Sequence, residues 1–298
     1  MTGVSIYDEG SGPPLIIIPG MQGRWEWVRP GLDALRSRCR TISYTLAGDL
    51  GSGWRLDPAL GFDNYIRQLD TLFARTGLTR AAICGISYGG AIALRYAACR
   101  PDRVAALILE SSPAPGWRPN PVQSAYLARP WLRAPKFVVT SPQRIWPEIL
   151  TARGSIPSGL AFLARHGLRV AAAPMIPGLV AARIVQQQSI DVRNDCAAVR
   201  APTLVVTGEP GLDRIVPVDS TRRFLELIPG SAYVMIERTG HLAPVTRPSV
   251  WANTLADFVC SHGTQVMPRW WVTRSSAPPR GRSAGPSPPE PEPRQSTQ

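Results

Sequence analysis

Lysine is almost missing from this chain. In 298 residues Lys136 is the only one, and every other basic side chain apart from three histidines is arginine. The formal net charge is +12. The arginines are scattered along the sequence and belong to no recognisable nucleic-acid-binding module. The basic balance therefore reads as a preference for arginine rather than a phosphate-binding face, and no nucleic-acid partner is expected. Cysteine is scarce as well. Cys39, Cys84, Cys99, Cys196 and Cys260 are odd in number, and no two are spaced as metal ligands. Cys84 and Cys99 lie in apolar runs, where free thiols are usually buried. A disulfide framework and a metal centre are both excluded as expectations. No apolar run approaches the roughly 18 residues of a membrane span. No basic segment followed by an apolar core opens the sequence, so no signal peptide is expected. The expectation is a cytoplasmic protein with no membrane partner.

Apolar residues are not lacking. They make up 44% of the chain, enough for a sizeable core, and the length suits one domain of about 250 residues with an appendage. Val4 to Tyr7 is a short strand candidate. Leu15 to Ile18 is wholly apolar, as a strand buried on both faces is. It runs into the glycine-punctuated loop Pro19-Gly20-Met21-Gln22-Gly23. A helix reaches Leu35 with Pro30 near its start, and Arg40 to Leu46 is the next strand. Phe62 to Arg75 carries Phe62, Tyr65, Ile66, Leu69, Leu72 and Phe73 on one face at helical spacing. Arg80 to Cys84 is a strand, Ala91 to Cys99 a helix stopped by Pro101, and Val104 to Leu109 a strand. Strands alternating with helices predict a parallel sheet with helices on both faces.

The alternation breaks at Ser111. Between Pro113 and Asp195 the chain carries eleven prolines among helical stretches and no convincing strand. It resumes with the strand Thr203–Thr207, a helix near Val218 to Leu227, the strand Ala232 to Ile236 and a helix from Pro248 to Cys260. The expected organisation is a first core part over residues 1–112, a helical cap over 113–195 and a second core part over 196–263. Beyond Gly263 the composition turns to Pro, Arg, Ser and Gly, so residues 264–298 are expected to be disordered. Trp270-Trp271 is the one apolar feature there that could dock on the body.

The chemistry gathers around Gly85-Ile86-Ser87-Tyr88-Gly89-Gly90. A strand that turns straight into a helix needs glycines on both sides of the turning residue, and the serine between them is pushed up with its hydroxyl exposed. A serine hydroxyl is a weak nucleophile without a base. His166 lies in the cap and His262 at the start of the tail. His241, in Thr239-Gly240-His241-Leu242, follows the last strand, where parallel sheets place their chemistry. Asp213, in the loop after Thr203–Thr207, is the acid expected to orient His241, with Glu110 at the end of an earlier strand as its rival. The oxyanion is expected to meet the backbone amides of Tyr88, which follows the nucleophile, and Met21, in the loop after Leu15–Ile18.

These segments together resemble the α/β-hydrolase fold superfamily. The resemblance runs over about residues 4 to 262. It rests on GISYGG at the elbow, the PGMQG and LAGDLGSG loops, the GEPGLDRIVP acid segment and TGHL. It implies a mostly parallel sheet flanked by helices, with an inserted helical cap, and the order Ser87, Asp213, His241. Members with a helical cap usually have His-Gly before the oxyanion residue, where this chain has Pro19-Gly20. A serine at the elbow argues against haloalkane dehalogenase and epoxide hydrolase chemistry, which uses aspartate there. The resemblance implies a serine hydrolase that cleaves a small carboxylic ester or related acyl compound, a small-molecule substrate, with no metal or organic cofactor. Carbon–carbon bond hydrolysis is the alternative within enzymes. A slow-turnover ligand receptor that retains the triad is the alternative outside them. Trp25, near the oxyanion loop, and Trp117, Trp131 and Trp146 in the cap are candidates for an apolar pocket. Packing between cap and core explains them equally well. Arg118, Arg129 and Arg133 read first as a solvated face, with pairing to a substrate carboxylate as the alternative.

Overall fold

The computed structural model of the chain describes residues 4–263. The expected disordered tail and the Trp270-Trp271 pair lie outside the described residues. Seven strands form one sheet: β1 (Ile6–Glu9), β2 (Pro14–Ile18), β3 (Arg40–Tyr44), β4 (Ala81–Ile86), β5 (Val104–Glu110), β6 (Thr203–Thr207) and β7 (Ala232–Met235). The spatial order is β1-β3-β2-β4-β5-β6-β7. Only β1 is antiparallel, pairing with β3 from Ile6 opposite Tyr44 to Glu9 opposite Thr41. This edge pairing draws β1 two residues beyond the expected Val4–Tyr7, and Arg40 ties it down through Asp8 at 2.8 Å.

The strand residues alternate between two apolar layers. Ile16 and Ile18 of β2, Ile83 of β4, Leu107 and Leu109 of β5 and Val205 of β6 face one layer. Leu15, Ile17, Cys84, Ile108, Leu204 and Val206 face the other. All are fully buried. Each such aliphatic side chain contributes about 1.5–3 kcal/mol by leaving water, so the centre of the sheet is the most stable part of the fold. Helices α1 (Arg29–Leu35), α2 (Asp63–Thr76) and α3 (Tyr88–Cys99) pack on this sheet. So does the C-terminal helix α12, described below. The apolar stripe of α2 faces inward as its spacing predicts, and Gly77 closes the helix in the left-handed conformation.

Five helices lie between β5 and β6: α4 (Pro121–Ala128), α5 (Pro130–Arg153), α6 (Ile156–Ala172), α7 (Pro177–Ser189) and α8 (Val192–Ala198). They form the helical insertion of the fold. Helix α4 opens with a capping box in which Asn120 and Gln123 exchange side-chain and backbone bonds of 2.9 and 2.8 Å. Helix α5 runs through Pro135, Pro142 and Pro147. Each proline removes a backbone donor, but Pro135 and Pro142 are exposed and, seven residues apart, share one face. The chain ends its described part with α9 (Val218–Arg222), α10 (Phe224–Leu227), α11 (Ala243–Thr246) and α12 (Pro248–Gly263). The single helix expected over Val218 to Leu227 is thus two, divided at Arg223. Among the described residues no single helix is long and apolar enough to cross a membrane.

Helix α3 begins at Tyr88 rather than at Ala91, so Gly89 and Gly90 are helical. A Cβ on Gly89 would stand 2.6 Å from the Pro19 carbonyl oxygen and 3.0 Å from the Ile18 carbonyl carbon. Glycine therefore buys the close approach of α3 to the loop after β2. Replacing Gly89 with alanine should push that backbone apart at a cost of about 1–3 kcal/mol. A thermal melt should show Tm lowered by several degrees; an unchanged Tm would mean the loop does not rest on α3 in this way.

Candidate active site

Ser87 links β4 to α3 with φ 54° and ψ −118°. A serine is rarely found at positive φ, and one held there costs on the order of 1–3 kcal/mol. Two interactions hold it. Its amide donates to the Glu110 carbonyl at 2.8 Å, and its own carbonyl accepts from the Gly90 amide at 2.9 Å. The serine is 4% exposed. The next amide, that of Tyr88, belongs to the first residue of α3 and so has no acceptor within the helix. The Tyr88 ring is buried among Phe62 and Tyr65, which fixes the start of the helix.

Asp213 and His241 stand on the loops after β6 and β7, at the same C-terminal edge of the sheet as Ser87. The loops interlock. The Glu209 amide donates to the Thr239 carbonyl at 2.8 Å, and the Arg238 amide to the Glu209 carboxylate at 2.7 Å. A Cβ on Gly240 would meet the Leu212 carbonyl carbon at 2.5 Å, so glycine is needed where the loops cross. Asp213 Oδ1 accepts from the amides of Ile215 at 3.0 Å and Val216 at 2.9 Å. Its Oδ2 lies 3.1 Å from His241 Nδ1. In neutral His241 the proton then sits on Nδ1, and Nε2 carries the free lone pair. Burial works against charge on His241, yet the Asp213 carboxylate and its hydrogen bond, helped by Glu148 and Glu110, outweigh it and raise the pKa above its ordinary value. Burial also resists charge on Asp213, but the His241 cation and bond and the two amides hold its carboxyl below the usual range.

Glu110, the rival acid, is buried at the end of β5. Its Oε2 accepts from Trp251 Nε1 at 2.6 Å, and Cys84 Sγ lies 4.0 Å away. Burial pushes its pKa up to about 8, against the opposing effects of the Trp251 hydrogen bond and His241. The histidine bond goes to Asp213 and not to Glu110. His166 is stacked on Phe162 and pushed down to about 4 by burial and by Arg169. His262 Nδ1 lies 2.7 Å from the Phe258 carbonyl within α12.

Met21 follows Gly20 in a turn closed by the Gly23 amide on the Gly20 carbonyl at 2.9 Å. The structure gathers Met21 and Trp117 around one small apolar cluster of Tyr126, Ala134, Val180, Ala181 and Ile184. The other three tryptophans do not converge there. Trp25 packs on Tyr7 and donates to Ser5 Oγ at 2.8 Å. Trp146 packs against Gly159 of α6. Trp131 is 68% exposed, because its stretch of α5 faces outward. Arg118, Arg129 and Arg133 are exposed.

Two buried charged residues between Ser111 and Ile190 escaped the sequence reading. Glu148 of α5 uses Oε1 to accept from Thr239 Oγ1 at 2.8 Å, the Leu242 amide at 2.8 Å and Thr246 Oγ1 at 3.2 Å. Arg183 of α7 donates to the Met21 carbonyl at 2.8 Å, the Ala47 carbonyl at 3.1 Å and Tyr65 Oη at 3.2 Å, and it pairs with Asp49. Glu148 is the only acidic residue between Ser111 and Ile190, and that rarity was the one available signal. Among the described residues no group of His, Cys, Asp and Glu could hold a metal ion.

Residues 13–248 match the model of the alpha/beta hydrolase fold family. The chain belongs to that family and is a hydrolase. It is similar to a protein of Pseudomonas savastanoi pv. phaseolicola named "Putative carbamate hydrolase RutD", with 26% identity over 83% of this chain and 93% of that one. It is also similar to the 2-hydroxy-6-oxo-2,4-heptadienoate hydrolase of Pseudomonas putida, with 25% identity over 86% of this chain and 92% of that one. Among solved structures, a thermophilic esterase from Thermogutta terrifontis shares the fold with a TM-score of 0.68 and 22% identity, over 88% of this chain and 94% of that one.

Glu110 carries a prediction of its own. Its pKa is raised by folding, so the buried carboxyl is neutral at low pH in folded and unfolded chains alike. As pH rises from about 5 through about 8 the unfolded chain releases this proton first, and folded stability falls. Glu110→Gln removes that proton. The Tm of Glu110→Gln relative to the unmodified protein should therefore climb by several degrees across this window. A difference that stays constant with pH would show that Glu110 is not held neutral.

Proposed function

We propose that the protein hydrolyses a small carboxylic ester, or a related acyl compound, through an acyl-enzyme on Ser87. The observation that carries this reading is the strained elbow serine at the same sheet edge as a partly buried His241–Asp213 hydrogen bond. In this reading His241 Nε2 takes the Ser87 proton as Oγ attacks the carbonyl carbon. Charge moves onto the carbonyl oxygen, where the amides of Met21 and Tyr88 receive it, each such donor being worth about 10²–10³ in rate. His241 then gives its proton to the departing alkoxide. Water enters, loses a proton to His241 and releases the acid, which returns the serine. Asp213 stays ionised throughout, holding the tautomer and stabilising the imidazolium. No step in this scheme calls for a metal or cofactor.

A carbon–carbon bond reaction of the kind named for the Pseudomonas putida relative is the second reading, and that substrate is a carboxylate. The ester reading is preferred because both arginines buried among the described residues already have acid partners. Arg24 pairs with Glu26 at 2.7 Å and Arg183 with Asp49. Neither is left to receive a substrate carboxylate.

A fluorophosphonate should label Ser87 alone, and p-nitrophenyl acetate and butyrate should turn over many times; labelling that survives Ser87→Ala would remove the serine from the mechanism. Carbamates and a vinylogous 1,5-diketone belong in the same panel, and faster turnover of the diketone would select the second reading. Because His241 must be neutral to act and its pKa is raised, kcat/KM should fall on acidification with a midpoint above the ordinary imidazole value. A flat profile between pH 8 and pH 5 would dismiss His241 as the base. Asp213→Asn should lower kcat by about 10⁴, with Glu110→Gln costing far less; the opposite ranking would make Glu110 the acid.

A further inference from the structure

We propose that Glu148 and Arg183 are positioning residues through which the helical insertion sets the geometry of the two loops that carry the base and the oxyanion donor. The inference deepens the catalytic reading above and rests on it. Glu148 lies on α5 and Arg183 on α7, so both belong to the insertion, while the groups they bond belong to the sheet edge.

The Glu148 contacts bracket His241. Thr239 lies two residues before it and Leu242 one after, and both bond the same carboxylate oxygen at 2.8 Å. Thr246 Oγ1 adds a third bond at 3.2 Å and is itself 2.6 Å from Thr239 Oγ1. The carboxylate thus holds the His241 loop at residues before and after the histidine, while Asp213 holds the ring itself. Burial raises the Glu148 pKa, while the Gly240 and Leu242 amides and the Thr239 hydroxyl pull it down. Carboxyl groups from three elements face His241: Asp213 from the loop after β6, Glu148 from α5 and Glu110 from β5, the last with its pKa pushed up to about 8 by burial.

The Arg183 contacts act on the other loop. One guanidinium nitrogen bonds the Met21 carbonyl at 2.8 Å; another bonds the Ala47 carbonyl at 3.1 Å and pairs with Asp49. Fixing the Met21 carbonyl fixes the Met21–Gln22 peptide plane and so restrains the backbone next to the Met21 amide offered to the oxyanion. Across residues 111–190 the chain has nine Arg or Lys and the single acid Glu148. Of these ten, Glu148 and Arg183 are the buried pair, and each is bonded to one loop of the site. An insertion that served only as a cover would need neither.

The two residues leave different signatures. The test measures the rate of fluorophosphonate labelling of Ser87 against pH in full-length protein. Glu148→Gln keeps an oxygen acceptor for Thr239 and Leu242 but removes a negative charge facing His241. Its acid limb should move down by about half a pH unit, with a plateau reduced far less than in Glu148→Ala. Glu148→Ala should slow the plateau about ten-fold or more, since a loosened base loses its alignment. Arg183→Lys keeps a cation for Asp49 but not the planar fork that spans Met21, Ala47 and Asp49. It should slow the plateau and leave the limb in place. A purely structural role would lower labelling only by lowering the folded fraction, which circular dichroism reads separately, and would move no limb. Labelled wild type with limb and plateau unchanged in all three variants overturns the inference alone. An unlabelled wild type overturns the catalytic reading, and the inference with it.

Discussion

A single residue must convert a strand into a helix at Ser87, and the rest of the site is arranged around that constraint. The turn holds φ at 54°, a value that costs a serine free energy. It survives because the flanking glycines admit backbone where side chains would collide. Gly89 admits the Ile18 and Pro19 carbonyls, which brings the loop carrying Met21 against the start of α3. The same backbone geometry that lifts the serine thus also brings the candidate oxyanion loop to it. The parallel order of the sheet does the rest, since β4, β6 and β7 all end at one edge.

Around His241 three buried carboxyls have three different fates, and their partners decide which. Asp213 receives two backbone amides and the imidazole, so it stays ionised despite burial. Glu110 has one indole donor for its two oxygens, and burial wins, lifting its pKa to about 8. Glu148 lies between them, buried but bonded by an amide and two hydroxyls. All three are buried; what separates them is the kind of partner, since Asp213 alone bonds the His241 ring and Glu110 has the fewest donors.

The strands were legible because sheet burial on both faces leaves unbroken apolar runs. Thr203–Thr207 is a strand at the residues expected, and Leu15–Ile18 lies within β2. The placement of Ser87, Asp213 and His241 at one sheet edge was legible because each follows such a run. What could not be read were contacts between residues far apart in sequence. Glu148 meets Leu242 across 94 positions and Arg183 meets Asp49 across 134, and no local pattern announces either. Tryptophan was equally opaque. Trp25, Trp131 and Trp146 have the composition of pocket walls, yet they pack on Tyr7, face solvent and press on Gly159. Size and hydrophobicity say that a ring will be placed against something, not against what. The prolines of the insertion did not hide its helical character, but they gave no helix boundaries: α5 runs through three of them.

The pairing of Arg183 with Asp49 bears on how such a protein can change over time. Both side chains are buried, and one arrives with the insertion while the other belongs to the loop after β3. Removing either leaves an uncompensated charge in the interior, at a cost of about 3–5 kcal/mol. The insertion is therefore no detachable module. Exchanging it for the corresponding segment of a relative would leave Asp49 stranded unless the newcomer carried a cation to the same place. A lineage could vary the outward faces of α4 and α6 freely, and new specificities would arise there. The two halves of the ion pair could be lost only together.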